Sequence, residues 1–509
     1  MPIFGDLKLR KTRARRLRRR RGGFAIILVL GMIAMTLAVS YALVRGQAAT
    51  ARGSSNHELR SEARQAALTG LSAALRRMNQ SNNWGGADST FTGTVNSGQT
   101  FAVQYITGDA KIDADGPDAA KWPYRTTITS TGYAVDPAAS AVTTTYRVEA
   151  VVELVPRRLA DNPSAWATMQ NYQLYQTNTD DNSLQLPFRI NGPARFLGSL
   201  NNFCSSYPPS SSGRTRYLSD LQAMRYAGYP DYRPFTGPIT YSQSTTTGST
   251  RNLITDNLGV TMTNASGSAT SNWNHPGNIT SYQLFPGGKS YAPATLTGTV
   301  AATLRADPRT NPAGLFVANG DVTLGNGASI VGTVIATGKV RFNGTNLSIQ
   351  PFSLPALDGT TSAVQLPAVV AGNDILVGDE SSAAVQGNVV TFAKFSVTSG
   401  DQATQWGLNG RLICRQFEVQ SRSQFNIGSL WWSFVWSWFN DQLGTHDDID
   451  HYPVYCAAWG MNYVPKITIN PPTGAAVVAQ WFTAGSPLYK VDTGDVGLRW
   501  SLIRMKEQP

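Results

Sequence analysis

The chain has 509 residues, 41% of them hydrophobic, enough to bury more than one core, and its net charge is +11. Residues 1–23 hold ten Lys/Arg against one Asp, whereas everything after them holds 33 basic and 31 acidic side chains. A body this close to neutral excludes the broad basic face that repeated phosphate contacts require, so no nucleic acid is expected as a partner.

The first element is a basic leader, 1–23, set against an apolar run, 24–44, that contains no charged residue. At about 1.5 Å per residue the run is about 31 Å long, which matches a hydrocarbon core and predicts a transmembrane helix in a lipid bilayer. It is longer than the apolar region of an ordinary signal peptide, so removal at the small-residue site Ala49-Thr50-Ala51 is the weaker alternative. A Lys/Arg cluster beside such a segment stays in the cytoplasm. The expected protein is therefore single-pass in the inner cell membrane, with the bulk of the chain extracytoplasmic.

Residues 55–80 contain no Pro, and Leu68, Leu71, Leu75 and Met78 recur at helical spacing. The helix is expected to continue out of the bilayer, with a bend or short break at Gly46 and Gly53. From Thr100 the period changes to that of strands; Tyr146, Val148, Ala150, Val152 and Leu154 alternate with polar neighbours, as in a sheet covered on one face. A helix laid on a small antiparallel sheet accounts for residues 45–156.

Residues 157–185 read as a polar linker, and 186–509 as a β-rich domain with long Ser/Thr/Gly loops. Within it Ala318, Gly320, Val322 and Leu324 recur eighteen residues later as Ala336, Gly338, Val340 and Phe342, the signature of stacked rungs. Ala371 repeats the pattern nearly three such periods after Ala318, and further rungs are expected near Ile190, Gly387 and Gly410. The predicted fold is α+β followed by all-β: a transmembrane helix, a helix-on-sheet unit and an irregular right-handed β-helix (β-solenoid). A β-sandwich is the alternative.

The junction Arg21-Gly22-Gly23-Phe24-Ala25-Ile26-Ile27-Leu28, leading into a long apolar helix and then an Arg/Ala-rich one, resembles the amino-terminal region of type IV prepilin-like proteins. More closely, it is similar to the PilX-type pilus-assembly family and to the K-type minor pseudopilin of type II secretion. The resemblance covers about residues 18–155. It implies a leader removed by a prepilin peptidase after Gly23, a mature chain beginning at Phe24, and partners that are pilin-like or secretion-apparatus subunits. Major pilins carry Glu at the fifth mature position, where this chain has Leu28. That departure implies an accessory or minor component rather than an abundant filament subunit.

Sequence motifs for catalysis are absent: there is no phosphate loop, nucleophile elbow or zinc helix. The expectation is a structural protein without a cofactor. His446, Asp447, Asp448, Asp450 and His451 form the one dense set of candidate metal ligands, more simply read as a solvated acidic loop. Trp431, Trp432, Trp436 and Trp438 form an aromatic segment, 430–443, read as a cap on the β domain and alternatively as a partner- or ligand-binding surface. On that second reading the protein is an anchored envelope module that binds polysaccharide or a protein, or, less simply, acts on polysaccharide. The three cysteines, Cys204, Cys414 and Cys456, are too few for a disulfide framework, and their pairing stays open.

Overall fold

The computed structural model describes residues 7–80, 84–136, 143–154, 158–159, 162–184, 188–200, 202–203, 233–242, 255, 260–265, 273–355, 363–378, 380–397, 404–419, 467–473, 477–490 and 500–508. It begins with one continuous helix, α1 (Leu7–Gln80). No break interrupts the helix at Gly46 or Gly53. Each glycine costs about 1 kcal/mol in a helix interior, too little to end a helix rich in Ala, Leu and Arg.

The second half of α1 lies on an antiparallel sheet. Its strands are β1 (Thr90–Asn96), β2 (Gln99–Thr107), β3 (Arg125–Val135) and β4 (Thr143–Leu154), paired in chain order. In β4, Tyr146, Val148, Ala150, Val152 and Leu154 are buried against the helix, as the alternation requires. On α1 the buried stripe is Leu59, Ala63, Ala67, Leu71, Ala74 and Met78, with Leu68 and Leu75 packed at its margin. The centre of the stripe is thus made of small residues rather than leucines. Close approach explains it: a Cβ at Gly132 of β3 would collide with the backbone of Ala63 and Ala67, and one at Gly70 with Ser130 and the Phe101 ring. The Ser130 hydroxyl donates to the Ala67 carbonyl at 2.7 Å, fixing the contact.

The fifth strand of this sheet comes from the other end of the chain. Trp500–Gln508 pairs antiparallel with β4, Trp500 opposite Leu154, with a bulge at Ile503. The boundary expected at 186–509 is corrected accordingly: the last strand belongs to the head, and the β domain is inserted between β4 and that strand.

The inserted domain consists of three parallel sheets, with ten, eight and seven strands among the described residues, and the chain visits them in rotation. Leu315–Ala318, Val322–Leu324 and Ser329–Val331 form one rung; Thr333–Ala336, Val340–Phe342 and Leu347–Gln350 form the next, with Ala318 opposite Ala336 and Val322 opposite Val340. The period of eighteen is this stacking. Ala371, however, pairs directly with Ala336 and so lies two rungs, not nearly three, from Ala318. The intervening rung is lengthened by an excursion in which Ser353–Leu354 pairs antiparallel with Ala363–Gln365. Parallel ladders also overturn the sandwich alternative, whose strands pair antiparallel.

Residues 157–185, expected as a linker, instead begin the domain: Leu174–Gln176 and Ser183–Leu184 are strands of two of its sheets. Few apolar residues mark them because each strand is only two or three residues long. The chain enters mid-stack and works outward through Ala194–Phe196 and Ile239–Tyr241 to Met262–Asn264 at one end. It resumes at the opposite end with Ala294–Thr295 and returns rung by rung until Leu412–Cys414 meets Leu174–Gln176. Asn409, Asn470 and Asn191 form a side-chain ladder across this seam, with hydrogen bonds of 3.1 and 2.7 Å.

The interior is apolar, from Phe316, Val334 and Val369 to Phe395, Trp406 and Cys414. The middle strands of the ten-stranded sheet are buried on both faces. Its outward residues Leu315, Val317, Ile335, Val370, Val390 and Ile413 join a second core with Trp84, Trp166, Trp273, Trp481 and Trp500. Such strands read as unbroken apolar runs, the mark of a parallel sheet covered on both sides. Cys414 is fully buried, and burial pushes its thiol well above the ordinary range. Thiol reagents should therefore fail to label a variant retaining only Cys414 until denaturant is added, as mass spectrometry would read; labelling of the folded chain would contradict this packing.

Candidate membrane and assembly interface

Residues 25–58 of α1 are exposed throughout, whereas the buried stripe begins at Leu59. Ile26, Ile27, Leu28, Val29, Leu30, Met32, Ile33, Met35, Leu37, Val39, Leu43 and Val44 present large apolar side chains around the whole circumference. A helix apolar all round lacks the one-sided stripe of a surface helix and needs a nonaqueous surrounding. By length and composition this segment is able to cross a membrane. The Thr36 hydroxyl bonds back to the Met32 and Ile33 carbonyls at 2.6 and 3.0 Å, so it carries no unpaired donor into an apolar phase.

Gly23 and Phe24 lie on the backbone of this helix, and their side-chain surroundings fall outside the described residues. Leu28 is exposed beside Ile27 and Val29, an apolar position with no carboxylate to offer a neighbour.

The head is tied to the base of the exposed segment by charges from the C-terminal strand. Arg64 of α1 makes a two-pronged pair with Glu507, Nε to Oε2 at 2.7 Å and Nη2 to Oε1 at 2.8 Å, and the Tyr146 hydroxyl donates to Glu507 at 2.6 Å. The hydrogen bond from Arg64, with that from Tyr146, holds the Glu507 carboxyl down to about 2. At the other side of the sheet Asp109, its side chain only 1% exposed, is gripped by Arg504 at 2.5 Å and by Arg125 at 3.1 Å. Burial pushes this carboxyl up, but the Lys111 amide and the two guanidinium groups outweigh it and hold Asp109 below its ordinary value. Trp500 N–H donates to Asn79 Oδ1 at 3.0 Å, joining strand and helix again.

Both carboxyls are depressed in the folded head, so their stabilisation is complete above the ordinary carboxylate range and is lost as pH falls. For Glu507 the loss runs from 4.5 toward about 2. Acid titration of head unfolding should show this fall, and Glu507→Gln should flatten it in that window; an unchanged profile would refute the assignment. Nothing in the local sequence announces these pairs, because partners such as Arg64 and Glu507 are separated by 443 positions.

His446, Asp447, Asp448, Asp450 and His451, like Trp431, Trp432, Trp436 and Trp438, lie outside the described residues, as do Cys204 and Cys456. Among the described residues no group of His, Cys, Asp and Glu is arranged to hold a metal ion. Charges along the parallel domain are taken up between rungs, Lys339 with Asp374 at 2.9 Å and Lys394 with Glu418 at 2.6 Å.

These features define a class of architecture: a long helix, half bare and apolar and half docked on an antiparallel head sheet, with a parallel β domain inserted before the last strand of that sheet. No protein-family model and no curated protein matches the chain. Among solved structures it is similar to the competence-associated pilin ComZ from Thermus thermophilus, at 11% identity and a TM-score of 0.21, over 89% of this chain and 98% of that one. A likeness at that score carries no argument about fold or role.

Proposed function

We propose that this chain is an accessory, PilX-type pilin-like component of a type IV pilus or type II secretion-like assembly, structural rather than catalytic. It is anchored in the inner membrane with its leader in the cytoplasm and its head and β domain outside. The observation that carries the reading is the division of α1: residues 25–58 bare and largely apolar, the remainder buried under the chain's own sheet. The bare half suits a lipid bilayer before assembly and the helices of pilin-like subunits afterwards. Leu28 supplies no carboxylate for the amino terminus of a neighbour, which fits a single special place in an assembly rather than bulk incorporation. On this reading the inserted domain is a right-handed β-helix carried outward by the head.

The test is the mature amino terminus, determined by mass spectrometry on protein from a host with a prepilin peptidase. The expected first residue is Phe24, and a bulky substitution of Gly23 should leave the leader attached. An intact leader in the unaltered chain would favour a plain anchor, and with it the reading as an envelope module that binds polysaccharide or a protein partner. A chain starting at Arg52 would lack the bare helix and sink the assembly role.

A further inference from the structure

We propose that the two free edges of the head sheet form one interface, in which the C-terminal strand of one copy pairs with β1 of a second copy. The sheet is open at both ends: β1 at one edge and Trp500–Gln508 at the other have no outer neighbour among the described residues. An open edge is a row of unpaired backbone donors and acceptors, a template for another strand. Outside α1, the large apolar side chains left exposed among the described residues are Val95, Ile106, Leu502, Ile503 and Met505, at 36, 38, 50, 45 and 47%. Val95 is on β1, Ile106 on its neighbour β2, and the other three are on the C-terminal strand. Among the described residues outside α1, the large exposed apolar side chains thus lie on the two edge strands of one sheet and on the strand next to one of them.

The occupant is a second copy because each edge finds its complement on this chain and the anchor fixes the approach. The inference rests on the membrane reading above to this extent: copies held in one bilayer by parallel helices face the same way. The β1 edge of one copy then meets the C-terminal edge of the next. Strands alternate in direction across the five, so β1 and the C-terminal strand run the same way, and their contact between aligned copies is parallel. Charge does not oppose it. β1 has no charged residue, Arg504 and Glu507 are engaged within the head, and Lys506 alone is left on the edge without an ion pair among the described residues. The bulge at Ile503 divides the edge and leaves Arg504 to Gln508 as the run available for pairing. The contact is heterologous, a different patch on each copy, so it joins copies into a row rather than a closed pair.

Thr94 and Lys506 are exposed positions on the same, outer, face of the two edges. Thr94→Cys and Lys506→Cys are placed separately in full chains whose own cysteines are replaced by alanine, and are expressed together or alone in membranes with a short bis-maleimide. Dimers are expected only where the two variants are mixed. Dimers from either variant alone, or none from the mixture while both chains accept a monofunctional maleimide, would overturn the proposal. In the unaltered cysteine background, Met505→Asp should weaken self-association in detergent by about tenfold, the value of one buried apolar side chain; unchanged association would also overturn it. Recovery of the chain from the soluble fraction would count against the membrane reading alone, since cross-linking on that material still decides the edge pairing.

Discussion

Gly132→Val is expected to destabilise the head by about 3 kcal/mol or more, at the upper end of what overpacking a close-packed core costs. The reason is geometric. At Gly132 the added carbon points at the α1 backbone, at Ala63 and Ala67, and a helix backbone has no rotamer by which to move aside. The helix must lift from the sheet, which breaks the Ser130 to Ala67 hydrogen bond and opens the stripe from Leu59 to Met78. The matched control is Gly407→Val, on a strand of the inserted domain, where an added carbon meets nothing closer than the Ala383 carbonyl at 3.8 Å. Denaturant unfolding of the full chain in detergent, followed by proteolysis at α1, should show a large loss for the first and little change for the second. Equal effects would mean that α1 is not seated through this contact.

The same contact shows what sequence could and could not reveal. The helix, the strands of the head and the covered face of β4 follow from local pattern, because a 3.6-residue period and a two-residue period are set by neighbours in the chain. The identity of the buried stripe does not. Leu68, Leu71, Leu75 and Met78 mark apolar positions, but which side faces the sheet is decided by two glycines, Gly70 and Gly132, that permit contact where side chains are smallest. Rung stacking around 315–349 was legible because successive rungs there are equal in length, so Ala318 and Ala336 fall in register without an insertion. Once the excursion at 353–365 intervenes, the period is broken although the stacking is not. The apolar half of α1 is the clearest element of all, since a segment long enough to cross a membrane is marked simply by length without charge. What that half of the helix would meet is a property of a surface turned outward, and an outward surface leaves no partner within the chain to read.

Removal of residues 500–508 should have the largest effect of any change outside the bare half of α1: loss of the cooperatively folded head with the parallel domain retained. Trp500 is buried against Trp84 and Phe285, ring centroids 5.9 and 5.6 Å away, and truncating such a ring costs about 3 to 5 kcal/mol. Loss of Arg504 strips Asp109 of one of its two guanidinium partners; breaking a buried pair costs a similar amount, about 3 to 5 kcal/mol. The Arg64–Glu507 pair is more exposed and contributes less to this total. Trp500→Ala and Arg504→Met should each reproduce part of the deletion, while Glu507→Gln at neutral pH should reproduce little of it. Hydrogen exchange gives the readout: amides of β2, β3 and β4 should lose protection in the deletion, and those of rungs such as Leu315–Ala318 and Thr333–Ala336 should keep it. The strand is brought to β4 by the folded domain inserted before it, which turns a very long loop closure into a local one. Phe395→Ala, a cavity in the interior of that domain, should therefore loosen the C-terminal strand as well as its own rung, although it touches neither α1 nor the head sheet. If the strand keeps full protection while the rung opens, the head holds it without help from the domain.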